Sequence, residues 1–147
     1  MRYRKTIKSR LSDLAGVRRW LRVRLQAAAF DDTAMHKMEL AITEALANVI
    51  RHAYRGEEAG VIHISLVVDH SLVRVVIRDF AEPFTPLDSG DAAAQPHPSP
   101  KGGVGMYILR QAMDVIRYEH PPPTGTRLTM ERRWHAPMPD APRGPLP

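Results

Sequence analysis

Two runs of alternating residues, one on each side of a short turn, constrain the fold of this chain more than any other feature. Apolar residues take every second position of the first run, at Ile62, Ile64, Leu66 and Val68. They do so again after the turn at 69–71, at Val73, Val75 and Ile77. A period of two with one apolar face predicts an antiparallel β-hairpin that helices cover on one side.

Asp79 continues the second run on its apolar parity, which is an unusual position for a carboxylate. Burial of an unpaired charge is costly, so this side chain at the strand end should be solvated or bound to something. An aspartate that only begins a turn is an equally simple explanation. The hairpin alone leaves both interpretations open.

Helical periodicity precedes the hairpin in two segments. The apolar positions of the first, which Ser12 or Asp13 would cap, are Leu11, Leu14, Leu21, Leu25 and Ala28. The second begins after Asp31 or Asp32, since aspartate is favourable at a helix N-terminus. Its predicted buried stripe is Met35, Met38, Ile42, Leu46, Val49 and Ala53. The glycine-containing stretch 55–60 ends the pattern.

The rest of the chain completes an α+β pattern. The remaining elements are an edge strand at 3–7, a helix at 104–113 and strands at 115–118 and 126–132. Residues 81–105 contain five prolines and four glycines without periodicity, which is typical of a functional or disordered loop. We predict a two-layer α/β sandwich with a mixed, mostly antiparallel sheet and helices on one face. One domain should span 1–134, followed by a Pro-rich, disordered tail at 135–147.

Composition narrows the class of protein. A chain of 147 residues, 44% hydrophobic and 25% charged, is typical of one globular domain. It has no cysteine and no long apolar run. These features predict a cytoplasmic protein without a membrane span, a secretory signal or disulfides.

The net charge of +5 is concentrated near the N-terminus, where nine of the 21 basic residues precede position 25. The arginines of the first helical segment lie among apolar positions, as on the solvent side of an amphipathic helix. This interpretation is favoured over direct nucleic-acid binding, which needs aromatic or groove-reading elements as well. An acidic protein partner is also compatible with the charge.

Glu44 and Asn48 lie four residues apart on the second helix, and His52 continues the row. Side chains at this spacing project in nearly the same direction. A carboxylate and a carboxamide supply the hard oxygen ligands that Mg²⁺ prefers, with phosphates completing its shell. Small residues, Ala41, Ala45 and Ala47, would let a ligand approach. Polar residues on an exposed helix face are the ordinary alternative.

A glycine cluster, Lys101-Gly102-Gly103-Val104-Gly105, opens the third helix. Helix N-termini bind phosphate through their free N–H groups, and glycine lets the backbone approach a ligand closely. The cluster lacks the ending of a P-loop and follows no βαβ unit. By itself it is weak evidence for a nucleotide site.

Four motifs in this order resemble the GHKL ATPase superfamily, which has the Bergerat fold, and more narrowly its RsbW-type anti-sigma-factor serine kinases. The first is Glu44-x-x-x-Asn48-x-x-x-His52 and the second begins at Asp79. The third is Gly102-Gly103-x-Gly105-Met106 followed by Met113-Asp114, and the fourth is Gly125-Thr126. The resemblance extends from about Leu11 to Arg132.

The resemblance implies a role for each motif. Glu44 would be the general base, Asn48 would ligate Mg²⁺, and Asp79 would read the adenine amino group with support from Thr126. Residues 82–105 would form the ATP lid. The implied nucleotide-binding residues are Asn48, His52, Asp79, Ala81, Lys101, Gly102, Gly103, Val104, Gly105, Met106 and Thr126.

The resemblance further implies a homodimeric protein kinase that binds a sigma factor and phosphorylates a STAS-domain antagonist on serine or threonine. One position departs from the family pattern, because Ala81 stands where Asp-x-Gly would place glycine. The alternative is therefore a binding module that sequesters a partner without phosphotransfer.

Overall fold

A computed structural model describes residues 1–28, 30–82 and 103–134. Its helices are α1 (Leu14–Leu25), α2 (Asp32–Asn48) and α3 (Gly103–Ala112), with a 3₁₀ turn at Leu11–Asp13 and a π-helical turn at Val49–Ala53. Its strands are β1 (Arg2–Lys8), β2 (Val61–Val68), β3 (Leu72–Asp79), β4 (Val115–Glu119) and β5 (Arg127–Arg133). This is the order of elements that the sequence predicts. None of the helices described is long and apolar enough to cross a membrane.

The five strands form one sheet in the order β1-β2-β3-β5-β4. All four pairings are antiparallel, so the described sheet has no parallel part of the kind that a mixed sheet would include. The predicted hairpin is confirmed, with Ile64 opposite Ile77 and Val68 opposite Val73. The first strand lies at the edge, as its short alternating pattern indicated.

The core lies between the helices and one face of the sheet, which confirms the α+β sandwich. The apolar parity of the hairpin points into it together with buried residues of the helices, such as Leu21, Leu46 and Leu109. In the predicted stripe of α2, Met38, Ile42, Leu46 and Val49 are buried, while Met35 and Ala53 are half-buried.

Of the N-cap residues predicted for α1 and α2, only the one for α2 makes a capping hydrogen bond. Asp31 caps α2, and its side chain accepts a hydrogen bond of 2.7 Å from the N–H group of Ala34. Asp13 precedes α1 but makes no side-chain cap bond, because its carboxylate accepts from the backbone N–H group of Lys8 instead. Leu11 was predicted to belong to the buried face of α1, which is wrong: it lies in the 3₁₀ turn and is 48% exposed.

Glu39 fixes α1 against α2. Its carboxylate is buried and accepts hydrogen bonds from Arg22 at 2.9 to 3.3 Å, and Arg18 lies 3.4 Å away. Arg24 lies over the rings of Trp20 and Tyr3. Part of the basic charge predicted for the solvent side of the first helix therefore has partners within the domain.

Candidate active site

A narrow cleft between α2 and the sheet brings together three of the polar residues that the sequence singled out. Asn48 comes from the end of α2, Asp79 from the end of β3, and Thr126 from the residue before β5. The remaining lining residues are Ala45, Val49, Ile77, Tyr118 and Leu128. The cleft has a volume of about 10 Å³, which is space for a water-sized sphere. A purine base would enter only if these walls moved apart.

Asp79 lines this cleft and is only 2% exposed. Burial raises the pKa of its carboxyl, and the N–H groups of Ala81 and Thr126 and the charge of Arg78 oppose that shift. The distance from the Ala81 nitrogen to Oδ1 is 3.1 Å. Such a buried, partly satisfied acceptor suits a ligand with an N–H donor, for example an exocyclic amine.

Gly125 holds the loop before β5 against Asp79. Its φ of +94° lies in the left-handed region, and a Cβ atom there would overlap the carbonyl oxygen of Asp79. The next residue, Thr126, accepts a hydrogen bond of 3.0 Å from the Asp79 N–H group through its carbonyl oxygen. The Thr126 hydroxyl lies 3.2 Å from Nδ1 of His120. Only glycine at position 125 allows the loop to approach Asp79 this closely.

Glu44 lies one turn before Asn48 on α2 and faces α3. A Cβ atom on Gly105 would lie 2.7 Å from its Oε1 atom and 3.1 Å from its Cγ atom. Gly105 belongs to the first turn of α3, where the chain leaves the predicted lid. The absence of a side chain at Gly105 therefore gives the Glu44 carboxylate its space.

Tyr118 also lines the cleft and was not anticipated. Its hydroxyl donates to the Sδ atom of Met106 over 3.6 Å, and burial raises the pKa of Tyr118 to about 12. The tyrosine is therefore neutral at physiological pH. Tyr118 has the same parity on β4 as Ile116, so the alternation of that strand could have predicted that it faces the helices.

His52 and Ala81 line a second, wider cleft of about 380 Å³ instead. Its other lining residues are Ala53, Tyr54, Arg55, Glu57, Phe80 and Glu82. The expected row Glu44-Asn48-His52 breaks because α2 ends at Asn48 and continues as a π-helical turn. The wider π turn changes the direction in which His52 projects.

Ala81 stands where the family pattern has glycine, but its backbone has no positive φ that would require glycine. Among the described residues, Arg55 is the one non-glycine residue with a positive φ. The carbonyl oxygen of Ala81 accepts a hydrogen bond of 3.2 Å from the Thr124 hydroxyl, and its N–H group donates to Asp79. The turn after β3 is thus closed without glycine.

Tyr54 ties this turn to the end of the helical region and is a second residue that the sequence reasoning missed. Its hydroxyl donates to the carbonyl oxygen of Val61 at 2.6 Å and accepts from the Phe80 N–H group at 3.0 Å. Its ring fills the place that a side chain on Gly60 would take. Burial raises the pKa of Tyr54 and keeps its donor proton in place.

The other predicted site residues belong to the lid. Gly103 and Val104 begin α3, whereas Lys101, Gly102 and most of the predicted lid lie outside the described residues, as does the predicted tail. In the described ranges, no group of three or more His, Asp or Glu residues is arranged to hold a metal. A Mg²⁺ ion bound at Asn48 would thus depend on ligand oxygens, which matches its usual preference for waters and phosphates.

Comparison with known sequences assigns the chain to a family. The profile of the family described as "Histidine kinase-like ATPase domain" matches residues 7–132. The chain is also similar to curated proteins named "Serine-protein kinase RsbW", with 26% identity over 99 residues in Listeria monocytogenes and 24% over 95 residues in Bacillus subtilis. These alignments cover 61% and 56% of this chain and the same shares of the relatives.

A second group of relatives carries the name "Anti-sigma F factor". The protein of Halalkalibacterium halodurans is 26% identical over 103 residues, which is 67% of this chain and 68% of the relative. The chain spans about three fifths of the length of the first curated relatives that it matches. The matches therefore cover part of each protein rather than the whole of either.

Proposed function

Because this chain belongs to the histidine kinase-like ATPase domain family, we propose that it is an ATP-dependent serine/threonine kinase of the anti-sigma type. The observation that carries the proposal is the convergence of Asn48, Asp79 and Thr126 on one cleft. Glu44 stands one helical turn away, beside the start of α3. Residues that are distant in sequence would thus supply three groups. Asp79 would accept a hydrogen bond from adenine, Asn48 would bind Mg²⁺, and Glu44 would accept the proton.

The adenine would be read at the inner end of the cleft. The exocyclic amine of adenine would donate to the Asp79 carboxylate, whose burial leaves it short of solvent partners. Ile77, Val49 and Leu128 offer apolar walls to the base. Thr126 lies beside Asp79 and would orient it.

The phosphates would lie near Asn48 and the N-terminus of α3. Backbone N–H groups at the start of a helix favour phosphate oxygens, and Gly103 and Gly105 belong to that turn. The Asn48 carboxamide oxygen would hold Mg²⁺ together with those oxygens. When bound, Mg²⁺ neutralises charge on the β- and γ-phosphates during transfer.

Glu44 would accept the proton of the attacking hydroxyl. The substrate oxygen would form a bond to the γ-phosphorus, the bond from this phosphorus to the bridging oxygen would break, and ADP would leave. The proton would pass to the Glu44 carboxylate. Closure of the lid over residues 82–105 would exclude water and favour transfer over hydrolysis.

The partners that follow are a sigma factor and a STAS-domain antagonist as the phosphorylated substrate. A relative named as an anti-sigma factor supports the sigma factor, and one named as a serine-protein kinase supports a phosphorylated protein. The STAS domain of the substrate rests on the resemblance of the motifs. The same resemblance supports a homodimer acting in the cytoplasm. Co-purification with sigma factors and STAS proteins from the source genome, followed by sedimentation analysis, tests these assignments.

Two measurements test the chemistry. Calorimetry with ATP and Mg²⁺ should give saturable binding that Asp79→Ala abolishes and that Lys37→Ala, an exposed change on α2, leaves intact. Mg-[γ-³²P]ATP should label a serine or threonine of the antagonist. Glu44→Gln should retain ATP binding and lose labelling, so equal labelling by Glu44→Gln would remove its role as base.

A second candidate function is sequestration of a partner without phosphotransfer. The small volume of the cleft, about 10 Å³, favours it. It predicts no heat of ATP binding at millimolar nucleotide and unchanged partner binding by Glu44→Gln. Saturable Mg-ATP binding together with labelling of the antagonist would exclude it.

A further inference from the structure

The face of the sheet opposite the helices holds more positive charge than the chain as a whole. Its basic side chains, placed by strand parity and register, are Arg2, Arg4, Lys8, Arg74, Arg78, Arg117, Arg127 and Arg133. Its acidic side chains are Glu119 and Glu131. Eight cations and two anions give this open face a net charge of +6, against +5 for the entire chain.

Several of these cations are engaged within the sheet. Arg74 pairs with Glu131 at 2.6 Å. Arg117 and Arg127 lie 3.9 and 3.8 Å from Glu119. The guanidinium group of Arg78 donates to the Thr124 carbonyl oxygen and lies 4.6 Å from the centre of the Phe80 ring. These contacts belong to β3, β4 and β5, on one side of the face.

The cations of β1 are different. Arg2, Arg4 and Lys8 are exposed, and their cross-strand neighbours on β2 are the uncharged residues Val67, Ser65 and Val61. Within the described part of the chain, no ion pair involves any of the three. We call these three residues the β1 row. Their side chains are exposed cations, and their neighbours on β2 carry no compensating charge.

These cations also lie on an edge strand. In the described residues β1 pairs with β2 alone, so its outer side presents backbone N–H and C=O groups to solvent. Alternate side chains along a strand are spaced by about 6.6 Å. A strand added to this edge would repeat that spacing and place its own alternate residues beside the row.

We propose that the outer edge of β1 binds an extended protein segment with carboxylates at alternate positions. The backbone of such a segment would hydrogen-bond to the edge, and its carboxylates would pair with Arg2, Arg4 and Lys8. A second copy of this chain seated on the open face would bring two surfaces of +6 together, which like-charge repulsion disfavours. Nucleic acid matches the charge but offers no ladder of amide groups to a strand edge.

A peptide experiment without nucleotide tests this proposal independently of the ATP site. The probe is a fluorescein-labelled decapeptide with glutamate and threonine in alternation, and the readout is anisotropy at low salt. Arg2→Glu/Arg4→Glu should weaken binding roughly tenfold or more. Arg19→Glu/Lys37→Glu, exposed on α1 and α2, makes the same change in net charge and should leave affinity within about twofold. Equal losses in the two double variants would overturn the proposal.

The backbone contribution has its own control. A decapeptide of the same charge, N-methylated at alternate residues, should bind at least roughly tenfold more weakly, because it cannot complete the ladder. Hydrogen exchange of the β1 amides should slow with the unmethylated peptide. Equal binding of both peptides overturns the added strand. Tighter binding of oligothymidylate or of phosphatidylserine vesicles at the same salt overturns the class of partner.

Discussion

The backbone of Gly105 packs so closely on the side chain of Glu44 that a Cβ atom at Gly105 would lie 2.7 Å from Oε1. The first turn of α3 therefore sets the space available to the proposed general base on α2. Gly105 is also the last residue of the predicted lid, so we expect movement of that lid to reach the Glu44 carboxylate through this contact. The nearest atom is the far end of a flexible side chain, so a larger residue would move the carboxylate rather than the helices.

Gly105→Ala should for this reason impair phosphotransfer much more than folding. We expect a loss of about 10- to 100-fold in labelling of the antagonist, since a displacement of about 1 Å in a catalytic group has effects of this size. The free energy of unfolding should change by less than about 1 kcal/mol. Single-turnover labelling and urea denaturation measure the two effects.

Gly16→Ala is the matched control for this substitution. Gly16 also lies in a helix, but the nearest atom to a Cβ there is Nη2 of Arg19 at 3.8 Å. Alanine should stabilise α1 by about 0.5–1 kcal/mol and leave labelling unchanged. If Gly105→Ala retained full labelling, the contact with Glu44 would have no bearing on catalysis.

Gly125→Ala should be severely destabilising. The residue needs a φ of +94°, and its Cβ atom would overlap the backbone of Asp79, which cannot rotate away. Backbone strain and overpacking together predict a loss of about 3 kcal/mol or more. Gly56→Ala is the comparison, because Gly56 has a φ of +83° and open space around it, so it should lose only about 1–2 kcal/mol. Equal midpoints in urea for the two variants would contradict the overlap at Gly125.

The order and type of the elements could be predicted from the sequence because each has a clear period. The hairpin from Val61 to Asp79 is the best example, since its alternation and turn fix both register and buried face. Leu11 shows the limit. It keeps the spacing of the helical stripe, but Asp13 bonds to Lys8 and the chain enters α1 only at Leu14.

The convergence of residues in the candidate site was predictable where they lie on regular elements or in recognisable motifs. Asn48, Asp79 and Thr126 were selected from the sequence and line one cleft. His52 was not placed correctly, because spacing on an α-helix says nothing about a π turn that begins after Asn48. Tyr54 acts through tertiary hydrogen bonds from its hydroxyl, and no local pattern encodes such contacts.

Tyr54→Phe tests whether the Tyr54 hydroxyl holds the turn after β3. Its removal leaves the Val61 carbonyl oxygen without its donor, whereas water can reach the exposed Phe80 N–H group, so we expect a cost of about 1 kcal/mol. We also expect weaker ATP binding, because Asp79 and Ala81 belong to the same turn. Tyr107→Phe, on the exposed surface of α3, should change stability by less than about 0.5 kcal/mol. Thermal denaturation measures the stability of both variants, and calorimetry measures their ATP binding. If Tyr54→Phe lowered stability but bound ATP normally, the hydroxyl would have a structural role only.

Asp79→Asn should make the protein more stable at neutral pH while weakening ATP binding. Burial raises the pKa of Asp79 above 3.8, so the folded state holds this proton more tightly than the unfolded chain does. The resulting stabilisation is complete below pH 3.8 and is lost as the pH rises through the folded pKa. Asparagine mimics the neutral carboxyl and does not titrate. The free energy of unfolding of Asp79→Asn, measured in urea, should therefore rise relative to that of the natural chain as the pH increases from 3.8 through the folded pKa.

Asp69→Asn provides a control of opposite sign for the same titration. The Ser71 N–H group lowers the pKa of this exposed carboxyl below 3.8, so its contribution is present at higher pH and is lost as the pH falls through the folded pKa. Its removal should therefore cost stability at neutral pH and leave ATP affinity unchanged. Asp79→Asn should instead lose at least about tenfold in ATP affinity, since a carboxamide replaces the charged acceptor for the adenine amine. A variant at Asp79 that bound ATP as the natural chain does would remove this residue from the proposed adenine site.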